Sequence, residues 1–216
     1  MMFSIIATDY DKSVSAEVLQ RFLDSLKAQT FKDFEVIILH DGPRNHDLVV
    51  DTTGLNVKWY ESLFRANVWG HNLRTYGMTR KAEGEYYINT NTDNVYYPDS
   101  LEKLNAEIEQ YSNYKVFINH VKMMGMHKEE HSSGMKRIYY DKERDYSVYT
   151  ILTGDPPIWG NIDLMSLVAH KDVWDSINYW YDLGTSSDGV IYQKMCHLFP
   201  YRNTSILIGE HYWSAI

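Results

Sequence analysis

Short continuous apolar runs alternate with segments of helical periodicity along the first half of the chain. Residues 3–8 and 34–39 are such runs, and their length and polar flanks are typical of strands buried on both faces. Between them the apolar positions recur at helical spacing, and Ser13 or Ser15 can cap the helix that they predict. Those positions are Val18, Leu19, Phe22, Leu23 and Leu26. Strand, helix and strand in this order predict a βαβ unit with two parallel strands.

The same alternation continues to the end of the chain and predicts one α/β domain over residues 1–216. Its sheet is expected to be central and mostly parallel, with helices on both faces. The pattern predicts strands at 56–60, 84–91, 114–121, 163–170 and 205–208, and helices at 69–81, 100–111, 171–180 and 189–198. The periodicity breaks over residues 123–157, which we interpret as a lid or insertion, a kind of segment that commonly carries specificity.

Residues 84–94 end a predicted strand with the polar run Asn91, Thr92, Asp93 and Asn94. Open α/β sheets usually bind their ligands at the carboxyl ends of such strands. Asn91 and Asp93 are two positions apart, so on an extended segment their side chains point to the same side. Two oxygen ligands suit a hard divalent cation, Mg²⁺ or Mn²⁺. A polar cap on a turn is the alternative, because Asn and Asp favour turns for local reasons.

The composition is that of an ordinary globular domain, with 44% hydrophobic and 23% charged residues among 216. No apolar run approaches the roughly 20 residues of a transmembrane segment, and the N-terminus does not resemble a secretory signal. The only cysteine, Cys196, fits a reducing compartment, so we expect a cytoplasmic protein. The net charge of -8 argues against a nucleic-acid partner and suits an anionic ligand bound through a metal ion.

Two polar residues late in the chain are further candidates. Asp188 lies at the start of a predicted helix, where it can be the helix cap or a general base that deprotonates a hydroxyl. His211 follows the last predicted strand and can be a metal ligand or an ordinary surface histidine. The residues alone leave both pairs of alternatives open.

Other catalytic motifs are weak or absent from the sequence. His127 to His131 match the inverted zinc-protease pattern His-x-x-Glu-His, but that pattern needs a helix, and glycines at 125 and 134 bound the segment closely. The chain has no Gly-x-Gly-x-x-Gly or Walker loop, which disfavours a dinucleotide enzyme. It has no Gly-x-Ser-x-Gly elbow, and Cys196 lies within a helical pattern, so a Ser or Cys hydrolase is disfavoured too.

Four motifs in order resemble those of family-2-like glycosyltransferases of the GT-A fold. Residues 4–10, Ser-Ile-Ile-Ala-Thr-Asp-Tyr, are similar to the first strand of that family. Residues 25–43 are the closest match, with Ser-Leu, Gln-Thr, a Glu, an apolar strand and then Asp41 and Gly42. Residues 73–77 resemble the Ala-Arg-Asn-x-Gly helix, and residues 84–94 resemble the strand that ends in Asp-x-Asp-Asp. The resemblance is strong over roughly the first half and rests on element order in the rest.

The resemblance implies a single GT-A (Rossmann-like) domain that binds a nucleoside-diphosphate sugar, UDP-linked, at the C-terminal edge of the sheet. Eight residues are expected to bind the substrates: Thr8, Asp9, Tyr10, Asp41, Arg74, Asn91, Thr92 and Trp159. All but Trp159 lie on the donor side, where residues 8–10 would border the nucleobase and Asp41 would contact the base or the ribose. Asp93, Asn91 and His211 would hold Mn²⁺ or Mg²⁺.

The resemblance also implies a reaction. A sugar would pass from the donor to a hydroxyl of a carbohydrate or other acceptor, in a step of carbohydrate biosynthesis. Asp188 matches the position of the base of inverting members, so inversion is expected, and Trp159 would offer a stacking platform on the acceptor side.

Four positions depart from the pattern of the family, and two of them, Ala7 and Asp9, stand where it usually has Pro and Tyr. Asn91 stands where the first metal-binding Asp is usual, and an amide is a weaker ligand, so Asp93 is the single carboxylate expected there. His40 replaces the first Asp of the Asp-Asp-Gly-Ser motif. A non-catalytic nucleotide-binding or sugar-binding module therefore remains an alternative. A nucleotidyltransferase is another, although residues 9–13 lack the Gly-rich basic loop that it would need.

Overall fold

The computed structural model describes residues 1–11, 14–44, 48–130, 136–140, 145–180 and 187–212. Their strands are β1 (Phe3–Asp9), β2 (Phe34–His40), β3 (Val57–Glu61), β4 (Tyr86–Asn91), β5 (Val95–Tyr96), β6 (Val116–Met124), β7 (Met126–Glu130), β8 (Lys136–Tyr140), β9 (Tyr149–Leu152), β10 (Leu167–His170) and β11 (Tyr201–Tyr212). Their helices are α1 (Ala16–Lys27), α2 (His71–Arg80), α3 (Ser100–Gln110), α4 (Lys171–Ile177) and α5 (Ser187–Leu198).

Within the described residues, nine strands form one sheet in the order β3-β2-β1-β4-β10-β6-β11-β5, with β9 paired to β6. β1 runs parallel to both β2 and β4, as the predicted βαβ unit requires. β10, β5 and β9 run against the remaining strands, so the sheet is mixed but mostly parallel. The predicted α/β class is confirmed.

The central strands are buried on both faces, which explains their continuous apolar runs. Neighbouring residues of one strand point to opposite faces. Ile5 accordingly packs in one hydrophobic cluster, with the apolar faces of α1 and α3, whereas Ile6 packs in a second cluster, with α2, α4 and α5. Each side of the sheet is thus covered by helices, as is usual for parallel strands.

Local signals place the first helix as predicted. Ser15 has an extended backbone, and its side chain accepts a hydrogen bond from the backbone N–H of Val18. This contact satisfies one of the amides left without a partner in the first turn of a helix. Ser13 lies outside the described residues.

The last strand is longer than the sequence predicted. β11 runs over Tyr201–Tyr212 rather than residues 205–208, so His211 lies on the strand and not after it. Its register against β6 shifts between Asn203 and Leu207 and again before Gly209. Bulges of this kind interrupt the alternation of apolar and polar residues, and the true length was therefore hidden in the sequence. By contrast, the strand predicted over 163–170 is shorter than expected, because β10 begins only at Leu167.

Part of the predicted insertion stands apart from the main sheet. β7 and β8 pair only with each other and form a two-stranded sheet, whereas β9 returns to the edge of β6. β7 covers Met126–Glu130, so the helix that a zinc-protease motif would need at these residues is not formed. His131 lies outside the described residues.

Candidate active site

The strand register brings the first candidate residues together at one edge of the sheet. Thr8 is level with both Leu39 of β2 and Asn91 of β4, and Asp9 is level with His40. These strands are parallel, so all of these positions lie at their carboxyl ends, where α/β sheets bind ligands.

Helix α2 delivers Arg74 to the same edge. The helix starts after Gly70, whose φ of 74° is left-handed, and a Cβ on this glycine would lie 2.6 Å from Thr8 Oγ1. Glycine is therefore what allows the helix to begin against β1. The side chain of Arg74 is 1% exposed, and burial lowers its pKa to about 10, so the guanidinium stays charged at neutral pH.

The guanidinium of Arg74 joins three elements through hydrogen bonds. Nη2 donates to Thr8 Oγ1 at 2.6 Å and to Asn91 Oδ1 at 2.5 Å, and Nη1 donates to the backbone oxygen of Trp69 at 2.6 Å. The amide oxygen of Asn91 therefore faces a cation. This contact gives Asn91 a structural role, and the metal ligation suggested for it stays a prediction.

Asp93 does not share an extended segment with Asn91, so that premise of the sequence analysis is wrong. β4 ends at Asn91, and Thr92 and Asp93 lie in a turn closed by a bond from Asn94 N to Asn91 O at 3.4 Å. Thr92 is buried. The polar residues terminate the strand because Asn and Asp favour turns, so the alternation of a strand does not apply beyond Asn91.

The contacts of His211 reveal a residue that the sequence analysis missed. Nδ1 of His211 lies 3.0 Å from Oδ2 of Asp163, and both residues are buried. Burial by itself would lower the pKa of His211, but the negative charge of Asp163 at this short distance outweighs it and raises the pKa to about 9. Burial would raise the pKa of Asp163, and His211 lowers it. Asp163 lies in the strand predicted over 163–170, and nothing in the sequence indicated that it would pair with His211.

Asp188 lies in the first turn of α5, within the helix and not before it. Its Oδ1 accepts a hydrogen bond from the backbone N–H of Gly189 at 2.7 Å. Burial, followed by the negative charge of Asp163, raises the pKa of Asp188 to about 6. A carboxyl with such a pKa is ionised at neutral pH yet accepts a proton more readily than an exposed aspartate.

Residues from distant elements act on one another electrostatically in this site. The charges of Asp93, Asp163 and Asp188 each act on both Arg74 and His211. The tertiary fold thus gathers three carboxylates around one guanidinium and one imidazole, at the carboxyl edge of the sheet. Strongly perturbed pKa values in such a cluster mark a candidate active site.

Trp159 lies beside Asp188. A Cβ added to Gly189 would lie 3.0 Å from both Cβ and Cδ1 of Trp159, so the tryptophan rests on the first turn of α5. The side chain of Trp159 is nevertheless 64% exposed. An exposed aromatic face next to a carboxylate can stack on a ring and present its hydroxyls to the carboxylate.

The residues expected around a nucleobase have close partners of their own. His40 Nδ1 lies 2.6 Å from Asp9 Oδ1, and Nε2 lies 3.1 Å from Asp11 Oδ1. The other carboxylate oxygen of Asp9 is buried and has no hydrogen-bond partner among the described residues. The guanidinium of Arg65 lies 4.3 Å from the ring centroid of Tyr10.

Asp41 has a structural task in addition to any contact with a ligand. Its two oxygens accept hydrogen bonds from the backbone of Ala66 and Asn67, at 2.8 and 3.1 Å. The carboxylate therefore fixes the loop that follows β3.

A divalent cation fits part of the predicted ligand set. Asp93 offers a carboxylate, and His211 offers an imidazole once the cation displaces the proton that a pKa of about 9 keeps on it at neutral pH. The ion pair of Nδ1 with Asp163 is similar to the carboxylate contact of many metal-binding histidines. Asn91 fits less well, because a guanidinium already occupies its oxygen. Among the described residues, no group of three or more His, Cys, Asp or Glu is arranged to hold a metal, so other ligands would complete the shell.

The model of glycosyl transferase family 2 matches residues 4–175, which include most of these residues. The chain belongs to glycosyl transferase family 2. The resemblance inferred from the four motifs is thus confirmed. Two uncharacterized glycosyltransferases are similar to this family-2 chain, one from Rickettsia conorii and one from Rickettsia typhi. They are 26% identical over 104 and 102 residues, respectively, which is 47% of this chain in each case. These matches span 16% and 30% of the two relatives' own lengths.

Solved structures of S. aureus TarS share the fold of this family-2 chain. A TarS fragment in complex with UDP matches 99% of the chain with a TM-score of 0.68 and 16% identity, and 61% of the fragment is covered. The complex with UDP-GlcNAc gives a TM-score of 0.68 and 15% identity, with 59% covered. At this identity the likeness establishes the GT-A fold alone. No helix in the described part of the chain is long and apolar enough to cross a membrane.

Proposed function

We propose that this family-2 domain is a metal-dependent glycosyltransferase with Asp188 as its base. It moves a sugar from a nucleoside-diphosphate donor, UDP-linked, to an acceptor hydroxyl and inverts the anomeric centre. The observation that carries the proposal is the gathering of Asp188, Asp93 and Asp163 around Arg74 and His211 at the carboxyl edge of the sheet.

Asp188 has the properties that proton transfer requires. With a pKa of about 6 it is ionised at neutral pH, and the packing of Trp159 against the same turn of α5 supports an acceptor site beside it. In the reaction, Asp188 takes the proton of the acceptor hydroxyl while the oxygen bonds to the anomeric carbon. The bond from that carbon to the phosphate oxygen breaks, and its electron pair leaves with the nucleoside diphosphate. Direct displacement of this kind inverts the centre.

The donor side is assigned to the ends of β1, β2 and β4. Asp9 supports this assignment because its buried Oδ2 lacks a hydrogen-bond partner among the described residues, and a nucleobase N–H can supply one. Thr8 and Asn91 act through Arg74, which holds them together. The UDP and UDP-GlcNAc complexes of TarS, which has the same fold, support a UDP-linked donor.

Asp93 and His211 are the residues that would hold Mn²⁺ or Mg²⁺. When bound, the cation would neutralise charge on the leaving diphosphate. Arg74, buried and charged, adds a permanent positive charge near the same place.

Asp188→Asn tests the base. We expect turnover, measured as release of UDP from a panel of UDP-sugars with candidate acceptors, to fall by about 10²- to 10⁴-fold, the usual contribution of a general base. Binding of UDP should change little, because the base serves the acceptor. Asp175→Asn, an exposed aspartate on α4, is the matched control. Retained turnover in the Asp188→Asn variant would overturn the assignment of the base.

A thermal-shift panel tests the donor and the metal. A ligand that binds the native state raises its melting temperature by mass action. We expect UDP to raise it more with Mn²⁺ than without, and Asp93→Ala to remove the difference. If UDP raised the melting temperature equally with and without Mn²⁺, the metal dependence would be refuted. Binding without any turnover on the panel of sugars and acceptors would favour a non-catalytic module, and a response to nucleoside triphosphates alone would favour a nucleotidyltransferase.

A further inference from the structure

Asp163 and His211 form a buried pair at the junction of two distant elements. His211 lies on β11, level with Met123 of β6, and is 7% exposed. Asp163 lies just before β10 and is 6% exposed. Nδ1 of the imidazole is 3.0 Å from Oδ2 of the carboxylate. Among the described residues neither ring nitrogen has a partner in hydrogen-bond geometry, so the contact of Nδ1 with Asp163 is an ion pair.

The turn that carries Asp163 is held from several sides. Its Oδ1 accepts a hydrogen bond from the N–H of Met165 at 3.0 Å, and its backbone N–H donates to Ser166 Oγ at 2.9 Å. The backbone oxygen of Ser166 in turn accepts from the N–H of Asn119 on β6 at 2.7 Å. One oxygen of the carboxylate is thus used to fix the turn, and the second lies 3.0 Å from Nδ1 of His211. A carboxylate fixed in this way can hold an imidazole in one orientation.

We propose that Asp163 is a positioning residue that engages Nδ1 of His211 and so leaves Nε2 as the nitrogen that meets the divalent cation. The inference rests on the proposed metal-dependent function. Metal-binding histidines almost always direct their other ring nitrogen to a carboxylate, carbonyl or water, which fixes the ring and makes the ligand more basic. The negative charge of Asp93 helps to raise the pKa of His211, which supports placing the two predicted ligands in one site.

Direct measurement of Mn²⁺ affinity by electron paramagnetic resonance, in the presence of UDP, tests this role without any turnover. We expect Asp163→Asn to weaken Mn²⁺ binding by about 10- to 100-fold, the range typical of such supporting residues. We expect His211→Ala to weaken it at least as much. The double variant should bind no more weakly than His211→Ala, because Asp163 acts only through the imidazole.

The surface offers a matched control. Asp172 Oδ2 lies 3.2 Å from Nδ1 of His170, the same chemical pair, but its side chain is 53% exposed. Asp172→Asn should leave Mn²⁺ affinity unchanged. Melting temperatures of all variants separate loss of fold from loss of the site.

Each outcome decides between two claims. If the wild-type domain binds UDP but no Mn²⁺, the metal in the proposed function fails. If the wild type binds Mn²⁺ and Asp163→Asn binds it equally well, the metal stands and the role of Asp163 is overturned. The role would also be overturned if Asp163→Asn weakened Mn²⁺ binding equally in the wild type and in the His211→Ala variant, since the carboxylate would then not act through His211.

Discussion

Arg74 and Asn91 show how one residue replacement redistributes the tasks of a site. Asn91 stands where the family usually has a metal-binding carboxylate, and here its amide oxygen accepts a hydrogen bond of 2.5 Å from the guanidinium of Arg74. Arg74 is almost fully buried, so it needs acceptors inside the protein. Asn91 supplies one without adding negative charge, and Asp93 remains the carboxylate of this strand end.

This contact predicts a difference between two substitutions at one position. Asn91→Ala removes an acceptor from a buried cation and should lower the free energy of unfolding by about 1–3 kcal/mol. Asn91→Asp keeps an oxygen in the same place and should be at least as stable as the wild type. Urea unfolding measures both. Equal losses in the two variants would show that the hydrogen bond to Arg74 contributes little.

The pKa of Asp188 predicts the acid side of the pH profile. A base must be ionised, and the carboxyl of Asp188 binds a proton as the pH falls through about 6. We therefore expect kcat/KM to be constant at neutral pH and to fall tenfold per pH unit below about 6. Asp163→Asn removes one cause of the raised pKa, so it should move this limb to lower pH. A limb near pH 4 in the wild type would contradict the assignment.

At the scale of elements, the start of α5 brings the proposed base and the proposed acceptor platform together. Gly189 follows Asp188, and its lack of a side chain lets Trp159 pack directly on the helix. Gly189 lies within a helix, so glycine matters here because it leaves room for Trp159 and not because of its backbone flexibility. The distance between Asp188 and the tryptophan ring thus depends on one missing methyl group.

Gly189→Ala should move Trp159 by a few tenths of an ångström, because the new Cβ would lie 3.0 Å from two of its atoms. We expect KM for the acceptor to rise several-fold, with UDP affinity unchanged. Stability should not fall much, since Ala favours a helix over Gly by about 1 kcal/mol. In a Trp159→Ala background the substitution should have no further effect on KM. An undiminished effect there would mean that Gly189 does not act through the tryptophan.

At the scale of the whole molecule, one sheet separates two hydrophobic clusters. Ile5 and Ile6 are neighbours in β1, both fully buried, and each belongs to a different cluster. The strands that carry the site are therefore fixed from both sides, and their carboxyl ends are held level by parallel pairing.

Ile5→Ala and Ile6→Ala should each lower the free energy of unfolding by about 2–5 kcal/mol, the usual cost of truncating a buried isoleucine. Val49→Ala, at an 89% exposed position, should change it by no more than about 0.5 kcal/mol. Urea denaturation followed by circular dichroism measures all three. If only one of the two substitutions lowers the free energy of unfolding, the cluster that contains the other isoleucine contributes little to stability.

Much of the fold follows from local patterns. Continuous apolar runs identified β1 and β2, helical spacing identified α1, and their order predicted parallel pairing, because these signals arise within single elements. β10 was not predictable in direction. It inserts antiparallel between β4 and β6, and short buried strands carry no local mark of their neighbours.

The sequence by itself determined the family and most of the residues proposed for the site, because the order of the motifs and the polar residues at strand ends can be recognised in the sequence. Only the tertiary structure decided what those residues touch. It pairs His211 with Asp163, joins the Asn91 oxygen to Arg74 and places Trp159 against α5, the helix that carries Asp188. Such contacts join elements far apart in sequence. Their pKa values and orientations follow from burial and neighbouring charges, which exist only once the chain has folded.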